Sequence, residues 1–315
     1  SEKRGTRPAS GALTAPAAPA PTRPVFTGYK SVQDKVDAMR EELEAALDQL
    51  ADDEGWLNYL NTMSKFHRYS ATNQMLIWLQ NPDATHVAGF RKWKEMGRSV
   101  RKGEKGIAIF APRTAPDLGD DGSPRLDADG KPRRKVVGFS SATVFDVSQT
   151  EGEPLPEVYQ DLSEEPPDGF VDDLEVACAK SGYPVSYEPI SGGRLGYTSR
   201  SEKRIVIDAN LSPGSRATTL AHELGHVLSG HLDDDEKRAY STSHGGKRGE
   251  MEVEAESFAY VLSRMNGMKT HTHRASEYVA SWQQHEPDAI RNVSDRLHTA
   301  VKKAMSLSWR NVTAE

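Results

Sequence analysis

The chain has one cysteine, Cys178, in 315 residues. That excludes an intramolecular disulfide framework and fits a reducing cytoplasm. Long apolar runs are missing too. None approaches the roughly 20 residues that a membrane-spanning helix needs, and the N-terminal stretch lacks the apolar centre of a signal peptide. The expectation is a cytoplasmic protein with no membrane partner. Internal repeats are absent. Strong net charge is also lacking: −6 overall does not by itself point to nucleic acid. The charge is unevenly spread, however, and that unevenness carries information.

What is present is His222-Glu223-Leu224-Gly225-His226, the H-E-x-x-H pattern of zinc metallopeptidases. Positions i and i+4 of a helix share a face, so both imidazoles can reach one metal ion. Glu223 sits one residue round, where it can act as general base on a metal-activated water without ligating the metal. The surroundings favour a helix. Arg204 to Asp208 reads as a β-branched strand. Asn210, Ser212 and Pro213 mark a turn and a helix start. Ala217, Leu220, Ala221, Leu224, Val227 and Leu228 recur at helical spacing, and Gly230 is a plausible stop.

A catalytic zinc usually keeps three protein ligands and one open position. The helix from Glu250 to Leu262 begins acidic and continues apolar, with Ala255, Phe258, Ala259 and Leu262 as its stripe. Glu252 and Glu256 share a face. Glu252 is expected to bind the metal and Glu256 to orient a ligating imidazole. Glu254 is the alternative ligand. His231 follows His226 by five residues, not the spacing of a three-histidine metzincin site, and is expected at the surface or behind the ligands. His271, His273, His285 and His298 lack ligand spacing and are expected to face solvent.

At this length two domains are the natural division. Residues 1–28, rich in Ala, Pro, Thr and Ser, read as a disordered tail. Residues 29–150 form a first domain, 151–169 an acidic linker and 170–310 a second domain. Ten acids and no Lys or Arg fall between 151 and 176. Three helices are expected early: one over Val32 to Leu50, one over Gly55 to Phe66, and one over Tyr69 to Gln80 capped by Ser70 or Thr72. Ile107 to Phe110 and Val136 to Val147 read as paired strands, with an exposed loop from Asp117 to Arg134 between them. From Thr85 to Arg113 there are eight basic residues against two acidic, a local charge of +6. Phe90, Trp93 and Phe110 are interleaved with them. Cations for phosphates and rings for bases suit single-stranded nucleic acid. The candidate contacts are Phe90, Arg91, Lys92, Trp93, Lys94, Arg98, Arg101, Lys102 and Lys105. A solvated basic loop with Phe90 and Trp93 in the core is the competing reading.

Asn73-Gln74, Ala88-Gly89-Phe90, Trp93, Gly97-Arg98 and Val100 to Gly106 resemble the N-terminal single-stranded-DNA-binding domain of ArdC antirestriction proteins and related plasmid primases. The second half resembles the ArdC metallopeptidase domain, which is similar to ImmA/IrrE zinc peptidases. There a helix reading E-x-x-A-E follows H-E-x-x-H, and Glu252 to Glu256 fits it. The similarity runs over about 30–305, including Tyr278 to Trp282. It implies an α+β fold in two openly arranged domains, a Zn2+ cofactor, single-stranded DNA as partner and a protein or peptide substrate. It also implies a small antiparallel sheet beside the active-site helix, whose edge strand, at Arg204–Asp208 or near Gly196–Thr198, could hold an extended substrate. The functional alternatives are a strand-shielding antirestriction protein that does not need proteolysis, or a peptidase that cuts one regulatory repressor.

Overall fold

The computed structural model describes residues 23–47, 50, 53–155, 164–232, 246–270 and 289–308. His271, His273, His285 and the 278–282 segment lie outside these residues. The chain is already packed at Phe26, within the stretch read as a tail, because its ring joins the apolar core. No helix among the described residues is long and apolar enough to cross a membrane.

Three helices open the chain: α1 (Val32–Ala46), α2 (Asp53–Lys65) and α3 (Ala71–Gln80). Val36, Met39, Leu43 and Ala46 form the buried stripe of α1. Ser70, not Thr72, caps α3, accepting from Asn73 N at 3.3 Å. A three-stranded antiparallel sheet follows, ordered β1 (Val87–Gly89), β4 (Arg134–Asp146) and β3 (Ile107–Pro116). The short α4 (Phe90–Glu95) and the pair β2 (Arg98–Val100) and β5 (Thr150–Gly152) sit beside it. The expected strand pairing is present and longer than expected, from Ile107↔Val144 to Pro116↔Arg134. The connection beyond it is exposed and carries two isolated bridges, Leu118↔Pro124 and Leu126↔Pro132.

Strand β3 is an edge, and edge backbone groups need partners. Helix α3 supplies them with amide side chains seven residues apart on one face. Asn73 donates to Phe110 O at 3.0 Å and accepts from Phe110 N at 2.8 Å. Gln80 does the same for Ala108, at 2.8 Å in both directions. Two amides thus mimic a fourth strand and lock α3 to the sheet. At the other end, Asp146 Oδ1 accepts from Thr85 N and His86 N, and Oδ2 accepts from Ser148 N. These bonds outweigh the cost of partial burial and hold the carboxyl below the usual aspartate range.

The second half contains α5 (Phe170–Lys180), β6 (Val185–Glu188), β7 (Gly196–Ser199), β8 (Arg204–Asp208), α6 (Pro213–Leu228), α7 (Gly246–Met265) and α8 (Ala289–Ser308). Its sheet is ordered β6-β8-β7, with β6 and β8 parallel and β7 and β8 antiparallel. The expected all-antiparallel sheet is therefore corrected to a mixed one, because β8 returns into the middle between β6 and β7. Arg204–Asp208 is paired on both sides, which leaves β7 as an edge strand. Ile205, Val206 and Ile207 are fully buried, as a central strand covered on both faces should be.

The expected open arrangement of two domains is also corrected. Trp56, Tyr59, Leu60 and Met63 recur along α2 at helical spacing, and they join one core with Phe258, Val261, Val293 and Leu297 from the second half. Trp56 Nε1 donates to Ser257 Oγ at 3.1 Å, and Tyr260 OH donates to Asn61 Oδ1 at 2.7 Å. Helix α7 is buried on more than a single stripe, Val253 to Ala255 and Ser257 to Ser263 included, because α2, α6 and α8 all pack on it. A shared core of this kind couples the halves. Trp56→Ala removes a buried indole and a hydrogen-bond donor and is expected to cost about 3–5 kcal/mol. Far-UV circular dichroism and tryptophan fluorescence, followed through urea unfolding, should give one coincident transition, shifted down in the variant.

Candidate metal centre

Helix α6 begins with Ser212 as its cap and Pro213 in its first turn. Ala217, Leu220, Ala221, Leu224 and Leu228 turn inward, which leaves His222, Glu223 and His226 on one flank. His222, Glu223, Glu252 and Glu256 line a cleft of about 880 Å3. His222 Nε2 and His226 Nε2 lie 3.1 Å apart. Glu252 Oε2 stands 3.4 Å from the first and 3.7 Å from the second. Tetrahedral ligands about 2.0–2.1 Å from a zinc ion are roughly 3.3 Å from one another. The three donors therefore have the separations of a divalent-metal cage. Among the described residues they form the one group of potential ligands that converges in this way.

Gly225 makes that convergence possible. A Cβ there would stand 3.0 Å from Ala255 Cα and 3.1 Å from Ala255 O. A Cβ there would require α7, which carries Glu252, to give way by a few tenths of an ångström.

The electrostatics match the geometry. The neighbouring His222 and His226 imidazoles hold the Glu252 carboxyl well below the usual range. Burial disfavours charge on His222, but Glu252, Glu223 and Glu256 outweigh it and raise the imidazole's pKa. Thr198 Oγ1, on β7, donates to Glu223 Oε2 at 2.6 Å. This fixes the carboxylate beside the cage and ties the edge strand to that flank of α6. Thr198 lies 25 residues upstream of Glu223, and no spacing in the sequence marks the contact.

Behind the cage stands a second set of residues whose arrangement the sequence did not reveal. His226 Nδ1 is 2.9 Å from His231 Nδ1, and His231 Nε2 is 2.9 Å from Glu254 Oε2. Arg296 Nε, on α8, donates to Glu254 Oε1 at 2.6 Å. His231 and Glu254 are buried, with side chains 4% and 3% exposed. One tautomer chain satisfies every atom. His226 Nδ1–H donates to His231 Nδ1, His231 Nε2–H donates to Glu254, and the lone pair of His226 Nε2 is left facing the cage. Burial would raise the Glu254 pKa, but His231 and Arg296 hold it low. Glu254, the alternative ligand in sequence, is thus turned away from the cage and occupied. His231 lies behind a candidate ligand rather than at the surface.

The residues expected to contact DNA divide between the core and the surface. Trp93 is corrected: it is 1% exposed and donates through Nε1 to Phe145 O at 2.9 Å, so its ring is a core element. Arg98 donates to Thr150 Oγ1 and to backbone carbonyls of β5 and Glu153. Arg101 is held by Glu104 and Ser148 O. Phe90, Arg91, Lys92 and Lys94 remain exposed on α4, and Lys102 and Lys105 on the loop after β2. Lys94 Nζ lies 5.6 Å from the Phe90 ring centroid. His298 is also corrected: it is partly buried beside Gln74, and burial lowers its pKa. Burial pushes the Cys178 thiol up to about 12, so it stays protonated at neutral pH.

Comparison with known proteins bears on both halves. Residues 27–145 match the N-terminal domain of anti-restriction factor ArdC, and residues 178–265 match the IrrE N-terminal-like domain. The chain therefore resembles ArdC proteins, with an ArdC-type match ahead of an IrrE-type one. An antirestriction ArdC protein from the R388 plasmid, solved with Mn(II) bound, shares the fold: the TM-score is 0.53 at 19% identity, over 88% of this chain and 98% of that one. An uncharacterized protein of Bacillus anthracis is 23% identical over 304 residues, and the DNA primase TraC of Escherichia coli is 26% identical over 228. This chain spans 50% of the length of the first and 15% of the second.

If the buried chain of bonds orients His226, its loss should weaken metal binding without unfolding the protein. Glu254→Gln and His231→Ala are each expected to lower zinc affinity about 10- to 100-fold. Chelator competition on the folded variants measures this. Unchanged affinity in both would show that His226 needs no such support.

Proposed function

We propose that this chain is a DNA-associated metallopeptidase. The observation that supports this best is the placing of Glu223 beside the His222, His226 and Glu252 donors, in a cleft bordered by the edge strand β7. Zn2+ is the proposed metal. The Mn(II) bound by the ArdC relative agrees with a site that accepts other divalent ions. A metal held by these donors would supply Lewis acidity to a water and to the scissile carbonyl. Glu223, with one oxygen fixed by Thr198, takes a proton from the attacking water on its other oxygen and returns it to the leaving amine. Strand β7 offers its outer backbone groups to an extended peptide.

The cleft walls suggest the substrate's charge. The chain at Glu164 and Glu165 enters the cleft and is seated against the start of α6, where a Cβ at Gly214 would meet Glu164 O at 2.5 Å. With Glu223 and Glu256 the lining holds four carboxylates outside the cage, and Lys269 among its basic residues. A basic peptide segment, the kind found in DNA-bound proteins, is favoured there.

The α4 face, with Arg91, Lys92, Lys94 and the half-exposed Phe90, is the proposed contact for single-stranded DNA. Its independence from the cleft supports the second reading, in which strand shielding accounts for antirestriction and proteolysis is dispensable. Two variants separate these readings. Glu223→Gln is expected to lower cleavage of a basic test protein by at least about 100-fold while zinc and DNA still bind. Arg91→Glu with Lys94→Glu is expected to weaken oligonucleotide binding and flatten its log–log salt slope by about 0.7 for each phosphate that is no longer neutralised. Unimpaired cleavage by Glu223→Gln would exclude the peptidase mechanism. Absence of cleavage in the wild type, with DNA binding and protection intact in Glu223→Gln, would favour shielding.

A further inference from the structure

A second cleft, of about 700 Å3, opens where α1, the start of α3, the β3–β4 ribbon and α8 meet. This volume lies within the roughly 300–1,000 Å3 typical of small-ligand sites. Both halves of the chain build it. The sequence singled out Phe110 from its floor, but neither the proposed cleavage nor the α4 face uses any of its residues.

Three features define its chemistry. Phe110 and Phe139 stand edge to face, with ring centroids 6.3 Å apart, and Phe139 is 50% exposed. Phe110 is fixed from behind by the Asn73 amide. Arg40, Arg68 and Arg291 reach the cleft from three separate elements. Arg40 pairs with Asp37 and Arg291 with Glu44, while Arg68 is exposed and has no carboxylate partner among the described residues. Two carboxylates, Glu44 and Asp295, complete the wall.

A bare anion would be repelled by those carboxylates, and an apolar ligand would leave the arginines' charge unused. A molecule with a flat aromatic ring, amino-group donors and a phosphate uses all three features. The ring stacks on Phe139, an exocyclic amine donates to Asp295 or Glu44, and the phosphate meets Arg68. We propose that this cleft binds a nucleotide, through an open ring face at Phe139 and an uncommitted cation at Arg68. The nucleotide is either one unit of a single strand or a free mononucleotide. The strand form rests on the DNA-binding reading above; the free form does not.

The test uses the full chain and two probes, a fluorescent ten-residue oligonucleotide of mixed sequence and deoxyadenosine monophosphate. Each is titrated against the wild type, Phe139→Ala, Arg68→Glu and the Arg91→Glu, Lys94→Glu double variant. Both cleft side chains are exposed, so these variants should fold, and melting curves check that. Phe139→Ala is expected to weaken binding about 5- to 150-fold, the value of one base stack, and Arg68→Glu should weaken it further than a charge change at a distant surface would. Mononucleotide binding that depends on Phe139 and Arg68 but not on Arg91 and Lys94 assigns the cleft to a free nucleotide. Oligonucleotide binding that depends on all four, with no mononucleotide binding, assigns it to a strand. If the oligonucleotide binds and only the α4 double variant weakens it, and the mononucleotide does not bind or binds regardless of Phe139 and Arg68, the cleft proposal is overturned and the DNA reading stands. If neither probe binds the wild type, both fail.

Discussion

The contact on which the candidate centre depends is the close approach of α6 to α7 at Gly225. Two helices normally pack about 8–10 Å apart, as their side chains dictate. Here one helix presents no side chain at the crossing, and Ala255 Cα of the other lies 3.0 Å from where a Cβ would stand. That crossing brings Glu252 within 3.4 Å and 3.7 Å of the two imidazole nitrogens. Gly225 is a variable position of H-E-x-x-H when the motif is read as ligands alone. In the folded chain its lack of a Cβ lets α7 approach α6 closely.

The same crossing brings Glu254 into the interior, where a lone carboxylate is costly. His231 and Arg296 share that charge, and through His231 it bears on His226. Helix α8 is therefore part of the centre, although none of its side chains reaches the cage. Helix α2, from the other half of the chain, packs on the outer face of α7 through Trp56 and Tyr260. The two halves consequently share one packed core around α7.

Local pattern carried much of this. The i, i+4 histidines, the apolar stripe of α6, a cap at Ser70 or Thr72 and the β3–β4 pairing follow from spacing and residue type. The parts that were not legible are long-range. Thr198 meets Glu223 only because β7 lies against α6. Glu254 and Glu252 are both acids on one helix, and only the position of α8 decides which turns inward. Trp93 read as a stacking platform because basic neighbours surround it in sequence, but its Nε1 finds a carbonyl in β4 and its ring goes to the core. Periodicity placed α7 as a helix with one buried stripe, and it is buried more widely because α2 approaches from about 200 residues away in sequence.

The measurement that tests the cage most directly is X-ray absorption at the zinc edge of the metal-loaded full chain. The His222, His226 and Glu252 donors require one zinc per chain, with the multiple scattering of two imidazoles and nitrogen or oxygen neighbours at about 2.0–2.2 Å. Substituting Glu252 by Gln should change the oxygen shell and keep both imidazoles. A zinc shell without imidazole scattering, or one that the Glu252 substitution leaves unaltered, would contradict the cage on which the rest is built.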